Sequence, residues 1–288
     1  MEVTNITVVG AGLMGRGIAL VSAAGGFPTV LEDISGQMLD QAMAEICADL
    51  EDGVKRGKLT AEQAAAARGR IRPETVIAES VAQADLIIEA IPEDMESKIE
   101  VFTQLDQAAP PDAIFASNTS SLSITEMASV TYRPGQFLGM HFFNPVHKMK
   151  LLELVQGLET SAETLATAEA VGRRMGKETV RVKESPGFIT SRINALIGNE
   201  AFYMLQEGIA TAQDIDKAIK LGLNHPMGPF ELVDVVGLDT RLHVLEHLHR
   251  TLGEKFRPCP LIAQYVKAGR LGRKSGRGVY EYGGTEPR

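Results

Sequence analysis

The chain has 288 residues, of which 44% are hydrophobic and 23% charged, enough apolar material for about two domains with buried cores. With 29 basic against 37 acidic residues the net charge is −8, which argues against nucleic acid as the main partner. The two cysteines, Cys47 and Cys259, lie far apart with no CxxC neighbour, so free thiols in a reducing compartment are expected.

The N-terminus runs into a strand pattern with no basic segment ahead of an apolar core, so no signal peptide is expected. No stretch approaches the roughly 20 apolar residues of a membrane helix. The expectation is a cytoplasmic protein.

In chain order, Ile6-Thr7-Val8-Val9 predicts a short strand ending at Gly10, followed by a helix over about 12–24. Thr29-Val30-Leu31 predicts a second strand, closed by Glu32-Asp33. Ser35 suits the N-cap of a long helix reaching about Lys55. Thr60 with Gln63 three residues on has the pattern of a capping box, opening a shorter helix. Residues 85–90 and 113–117 read as buried strands with a helix between them. Residues 136–142 and 151–155 read as two more, followed by a helix over about 162–175 and a last strand over 179–182. Strands alternating with helices imply parallel βαβ units with helices on both faces. After Pro186-Gly187 only helix patterns remain, at about 188–206, 213–221, 238–252 and 261–267. The expected architecture is an α/β domain over 1–184, a doubly wound, mostly parallel sheet, and an all-α domain over 185–288.

Gly10-Ala11-Gly12-Leu13-Met14-Gly15 is G-x-G-x-x-G between a predicted strand and a predicted helix, the context a dinucleotide-binding Rossmann fingerprint requires. The first glycine permits the tight turn, the second lets a pyrophosphate approach backbone N–H groups, and the third lets helix and strand pack closely. The positive end of the helix dipole then faces the phosphates. Asp33 follows Gly10 by 23 residues, where an acid hydrogen-bonds the adenosine ribose. Glu32-Asp33 repels a 2′-phosphate and no Arg or Lys follows before Lys55, so NAD is expected rather than NADP. The loops leaving the next strands, Glu89 to Glu93 and Ser117-Asn118-Thr119-Ser120-Ser121, stand at the expected ligand mouth.

In Gly139-Met140-His141-Phe142-Phe143, a histidine sits in core-like sequence; Glu153 does the same in Leu151-Leu152-Glu153-Leu154-Val155. Such groups are costly unless they pair. A metal site is not expected, because the cysteines are remote and the histidines lack zinc-motif spacing. If the stretch is strand, turn, strand, His141 and Glu153 meet either as a satisfied structural pair or as an acid–base couple. The couple suits an enzyme that removes a hydroxyl proton while a hydride leaves for a nicotinamide. His147, beyond the turn at Pro145, reads as a loop histidine.

The segments VVGAGLMGRGIA, ASNTSSLSIT, GMHFFNPVHKMKLLELV, SPGFI, DIDKAIKLGLNHPMGPFELVD and LGRKSGRGVYEY span nearly the whole chain. On these the chain resembles the L-3-hydroxyacyl-CoA dehydrogenases, of the bacterial 3-hydroxybutyryl-CoA type. The resemblance implies His141 as general base in oxidation and acid in reduction, with Glu153 as its orienting carboxylate. It implies Ser120 near the substrate oxygen and nicotinamide, and Asn144 positioning the nicotinamide carboxamide or the substrate carbonyl. Glu93, Lys98 and Lys274 match NAD-contacting positions. Lys55 and Arg56, in the basic loop Val54 to Lys58, correspond to the segment that meets the CoA phosphates. The resemblance also implies an acyl-CoA substrate and a homodimer formed through the helical domain. In one place the chain departs from the family: Ser191 stands where PGF-hydrophobic-hydrophobic is usually followed by Asn, and Ser has the shorter reach. A dehydrogenase of a free hydroxy acid or sugar acid on the same architecture, and an NAD-binding protein without turnover, are the alternatives.

Overall fold

A computed structural model describes residues 2–283, which fall into two compact units that divide between Ser185 and Pro186. The first unit runs β1 (Ile6–Val9), α1 (Leu13–Ala24), β2 (Thr29–Glu32), α2 (Gly36–Lys55), α3 (Ala61–Gly69), β3 (Ile71–Glu74), α4 (Ile77–Val81), β4 (Leu86–Glu89), α5 (Met95–Ala108), β5 (Ile114–Ser117), α6 (Ile124–Ala128), β6 (Phe137–His141), β7 (Leu151–Gln156), α7 (Ala162–Arg174) and β8 (Glu178–Lys183). The strands form one sheet in the order β3-β2-β1-β4-β5-β6-β7-β8. All neighbours are parallel except β6 and β7. This is the expected doubly wound, mostly parallel sheet, with the 3-2-1-4-5-6 order of a dinucleotide-binding fold.

The caps form as the sequence implies. The Ser35 side chain accepts from the Met38 N–H, and Thr60 and Gln63 close a reciprocal capping box. The expected helix pattern misses the five-residue helices α4 and α6, and the expected strands omit β3. Ile71-Arg72-Pro73-Glu74 has neither an apolar run nor an alternation. It survives as a strand because it lies at the sheet edge, where a proline costs no ladder bond.

The register decides where function can sit. Val9 lies opposite Glu32 and Glu89, Glu89 opposite Ser117, and Ser117 opposite Gly139. The strands β2, β1, β4, β5 and β6 therefore deliver their carboxyl ends to one edge, the ligand-binding edge of an open α/β sheet. Beneath β5 and β6, Phe102, Phe115 and Phe137 pack edge-on or tilted at 4.5 to 6.3 Å between centroids, and the Arg133 guanidinium lies 4.8 Å from the Phe115 centroid. Each such aromatic contact contributes about 1 kcal/mol beyond area burial, stiffening the strands that end at Ser117 and His141.

The second unit is helical: α8 (Thr190–Gln206), α9 (Ala212–Gly222), α10 (Pro229–Val236), α11 (Leu238–Leu252) and α12 (Pro260–Lys267). Helix α10, with its proline at the first position, is the one the sequence pattern leaves out. Its core is built on Ala195, Phe202, Phe230, Val233, Leu245, Leu248 and Phe256. Two buried aspartates tie the ends together. Asp216 accepts from the Phe230 and Glu231 N–H groups and the Tyr280 hydroxyl, and Asp234 from the Val279 and Tyr280 N–H groups and the Tyr282 hydroxyl. No helix among the described residues is long and apolar enough to cross a membrane.

Candidate active site

Gly10 leaves β1 with φ +97°, and its N–H donates to the Glu32 carbonyl at 2.8 Å. A Cβ on Gly15 would stand 1.7 Å from the Gly10 carbonyl oxygen, so only glycine lets α1 start this close to the turn. A Cβ on Gly12 would meet nothing within 4 Å. No side chain caps the N-terminus of α1 and its first turn holds no acid, leaving this helix start shaped for an anion. Asp33 is oriented beside it: one carboxylate oxygen accepts from the Ala11 N–H at 2.8 Å and the other from the Ser35 N–H at 2.9 Å. Leu13 and Met14 occupy the first turn. Glu32 is buried at the end of β2, and burial, then the neighbouring Asp33 and Glu74 charges, raise its carboxyl to about 7. An open glycine surface, an uncapped helix start and a fixed carboxylate fit a dinucleotide carrying free ribose hydroxyls.

Further along the same edge, a polar network binds β4, α5 and β5. The Glu89 carboxylate is fully buried and accepts from Lys98 Nζ at 2.5 Å, the Ile91 N–H at 2.7 Å and the Ser117 hydroxyl at 2.6 Å. Lys98 is 1% exposed, with Glu93 Oε2 at 3.7 Å from its ammonium. Glu93 Oε1 in turn accepts from the Thr119 hydroxyl at 2.7 Å, the Ser120 N–H at 2.8 Å and the Ser120 hydroxyl at 3.1 Å. Lys98 and Glu93 thus hold the 117–121 loop. Glu89 escapes the sequence reading as a site residue, although it carries the same signal as Glu153, a carboxylate closing an apolar run. Asn118, which the sequence places in the ligand-mouth loop without a role of its own, accepts the Phe142 N–H through Oδ1 at 2.9 Å and fastens this loop to the residue after His141.

His141 ends β6 and lies opposite Glu153 on antiparallel β7. His141 Nδ1 stands 2.7 Å from Glu153 Oε2, with the residues 6% and 1% exposed. The Phe143 ring packs 4.4 Å from the imidazole centroid. Where Nδ1 carries the proton, the Glu153 carboxylate accepts it and fixes the orientation of the ring. Among the described residues, no group of three or more His, Cys, Asp or Glu is placed to hold a metal ion.

The remaining expected residues lie as follows. Asn144 is exposed on the loop between β6 and β7, before a cis peptide bond to Pro145. His147, on the same loop, has Asp49 at 3.8 Å, and burial holds its imidazole below the usual histidine range. Lys55 and Arg56 are exposed at the end of α2, where Arg56 pairs with Asp52 at 2.8 Å and Lys55 approaches Glu51 at 4.0 Å. Ser191 and Lys274 belong to the second unit: Ser191 lies in the first turn of α8, and Lys274 Nζ donates to Asp239 at 2.6 Å. Within the first unit, the fold therefore brings His141 to Glu153, Asp33 to the glycine loop, and Ser120 to Glu93 and Lys98.

Residues 5–185 match the family model of the 3-hydroxyacyl-CoA dehydrogenase NAD-binding domain, and residues 187–282 that of the C-terminal domain. The chain is 46% identical to a probable 3-hydroxybutyryl-CoA dehydrogenase of Bacillus subtilis, over 98% of each chain. It is 43% identical to a 3-hydroxybutyryl-CoA dehydrogenase of Bradyrhizobium diazoefficiens, over 99% of this chain and 97% of that one. The crystal structure of (S)-3-hydroxybutyryl-CoA dehydrogenase from Ralstonia eutropha superposes with a TM-score of 0.95 at 44% identity, covering 98% of this chain and 100% of that one.

Proposed function

The chain belongs to the 3-hydroxyacyl-CoA dehydrogenase family, NAD-dependent oxidoreductases, and we propose that it interconverts a short-chain (S)-3-hydroxyacyl-CoA, such as 3-hydroxybutyryl-CoA, and its 3-ketoacyl-CoA with His141 as acid–base residue. The observation that carries the residue assignment is the buried pair of His141 Nδ1 and Glu153 Oε2 at 2.7 Å. It sits on the sheet edge that also ends in the glycine loop. The substrate follows the names of relatives at 43–46% identity.

Bound NAD supplies the acceptor for the hydride leaving C3. In oxidation His141 Nε2 takes the O3 proton, and in reduction it returns that proton. Glu153 holds the ring through Nδ1 and stabilises the imidazolium while it exists. Ser120, whose hydroxyl both donates and accepts, orients the substrate oxygen beside the nicotinamide, and Asn144 positions the carboxamide or the substrate carbonyl. Gly10 to Gly15 receive the pyrophosphate and Asp33 the adenosine ribose. Glu93 and Lys274 complete the NAD contacts, whereas Lys98, 1% exposed with its ammonium on Glu89, shapes the Ser120 loop from behind. Lys55 and Arg56 meet the CoA phosphates by charge, and Ser191 contacts the substrate.

The enzyme acts in the cytoplasm as a homodimer formed through the helical unit. The free thiols Cys47 and Cys259 support that compartment, and the exposed Ile193, Val235 and Val236 of the helical unit support the dimer. Sedimentation returning only the 31.0 kDa monomer overturns the dimer. The test of function compares NADH formation from 3-hydroxybutyryl-CoA and from free 3-hydroxybutyrate, in the parent enzyme and in His141→Ala. Turnover confined to the CoA ester, lost in the variant with NAD binding intact, is expected. Activity on the free acid alone, or full turnover by His141→Ala, refutes the reading.

A further inference from the structure

Lys177 follows α7 at the turn into β8 and is buried, 6% exposed. A lysine ammonium is excluded from protein interiors unless its donors are met. Here Nζ donates to two backbone carbonyls of the loop joining β6 to β7, those of Val146 and, at 2.7 Å, Met149. The loop is already folded on itself, since the Lys148 and Met149 N–H groups both donate to the Pro145 carbonyl at 3.0 Å. The ammonium closes this turn from outside.

The same turn is fixed at a second point. The Val146 side chain is 2% exposed and belongs to the core of the sheet domain. It rests on Gly17 of α1, where a Cβ would stand 2.8 Å from Val146 Cγ2 and 2.9 Å from Val146 Cβ. Gly17 lies two residues beyond the glycine fingerprint, so this contact joins the dinucleotide helix to the loop after His141. At its near end the loop is held by Asn118, through the Phe142 N–H. Asn144 stands between these anchors, two residues from each, and is itself exposed.

We propose that Lys177 is a positioning residue for the dehydrogenase reaction: its ammonium clamps the Val146 and Met149 carbonyls, seats Val146 on Gly17, and so fixes Asn144 relative to His141. This rests on the role given to Asn144 under the proposed function. The clamp does not touch substrate. It acts by holding the loop to the fraction of an ångström that a near-attack geometry demands, where a 1 Å error costs about a hundredfold in rate.

The experiment is a double-mutant cycle on kcat with Lys177→Met, which keeps the stem and removes the donors, and Asn144→Ala. Lys177→Met lowers kcat by about 10- to 100-fold, with the NADH dissociation constant within about threefold of the parent value and a cooperative thermal transition retained. The double variant is no slower than the slower single variant, because both changes remove the same interaction. Multiplicative losses overturn the proposal, since they place Lys177 outside the Asn144 route. An impaired Asn144→Ala enzyme beside an unimpaired Lys177→Met overturns the positioning role alone. An unimpaired Asn144→Ala overturns both that role and the reading of Asn144 on which it rests. A second pair tests the same loop without touching the lysine. Gly17→Ala drives Val146 away and lowers kcat, and Val146→Gly added to it, which removes both clashing carbons and leaves only the Val146 Cα at 3.9 Å, restores at least about a third of the lost activity; a double variant no faster than Gly17→Ala overturns the proposal.

Discussion

Replacing Glu153 by Gln removes one charge and little else. The amide keeps the length of the side chain and can present its oxygen to His141 Nδ1, now at 2.7 Å from the carboxylate. What disappears is the charge assistance to an imidazolium formed during turnover in a nearly closed site, with Glu153 1% exposed. A hydrogen bond to a charged group is worth about 1.5–3 kcal/mol and a neutral one about 0.5–1.5. The carboxylate already assists the bond to the neutral ring, and the further gain as the ring becomes cationic, of similar size at about 1–2 kcal/mol, is what appears in the barrier. At 1.36 kcal/mol per factor of ten its loss slows turnover by about 5- to 30-fold. The assay is NADH formation from saturating 3-hydroxybutyryl-CoA at several pH values. NAD affinity serves as the control. In His141→Ala the same substitution should cost nothing further, because Glu153 acts through the ring. A turnover within twofold of the parent at every pH, or a further tenfold loss on the His141→Ala background, refutes the role of Glu153 as orienting carboxylate.

Glu32→Gln tests the buried carboxyl beside the ribose site. With its carboxyl raised from 4.5 to about 7, the folded state holds a proton that the unfolded chain releases. Stability is fully present below pH 4.5 and is lost as pH rises through about 7. The shift corresponds to about 3 kcal/mol, or about 2 once discounted for solvent screening. Glu32→Gln should therefore raise the denaturation midpoint at pH 8 and leave it unchanged at pH 4.5; an equal gain at both values refutes the account. Asp33→Asn should raise the KM for NAD by about 10- to 100-fold through loss of charge-assisted bonds to the ribose. It should also narrow the preference for NAD over NADP, and steady-state kinetics with both dinucleotides showing an unchanged ratio would remove Asp33 from cofactor selection.

Much of this site is legible in the sequence because its residues contradict their surroundings. His141 and Glu153 stand in apolar runs, and the Gly10 to Gly15 turn breaks an apolar strand. Local signals suffice there, since each residue type is costly at its position without a partner or a special turn. Lys98 and Lys177 give no such signal. Lys98 stands in Asp94-Met95-Glu96-Ser97-Lys98, which reads as a solvated helix start, and Lys177 follows a glycine at a helix end. Their burial is decided by distant partners, the Glu89 carboxylate in one case and two loop carbonyls in the other. Strand β3 was hidden for the related reason that an edge strand owes its existence to its neighbour rather than to its own pattern.

The pairing of His141 with Glu153 depends on one reversal in an otherwise parallel sheet. A parallel β7 would need a crossover of a dozen or more residues after β6, but residues 142–150 are all that separate the two strands. So short a connection forces β7 to run back along β6. The third residue of β7 then lies opposite the last residue of β6, placing a carboxylate from the start of one strand beside a histidine at the end of another. The same shortness makes the loop a part of the site. Its crest carries Asn144, its turn is closed by Lys177, and Val146 rests on the helix that follows the glycine fingerprint. A longer insertion there would preserve the sheet and still detach Asn144 from both anchors, so the length of this loop is the feature on which the meeting of His141 with Glu153 and the placing of Asn144 jointly depend.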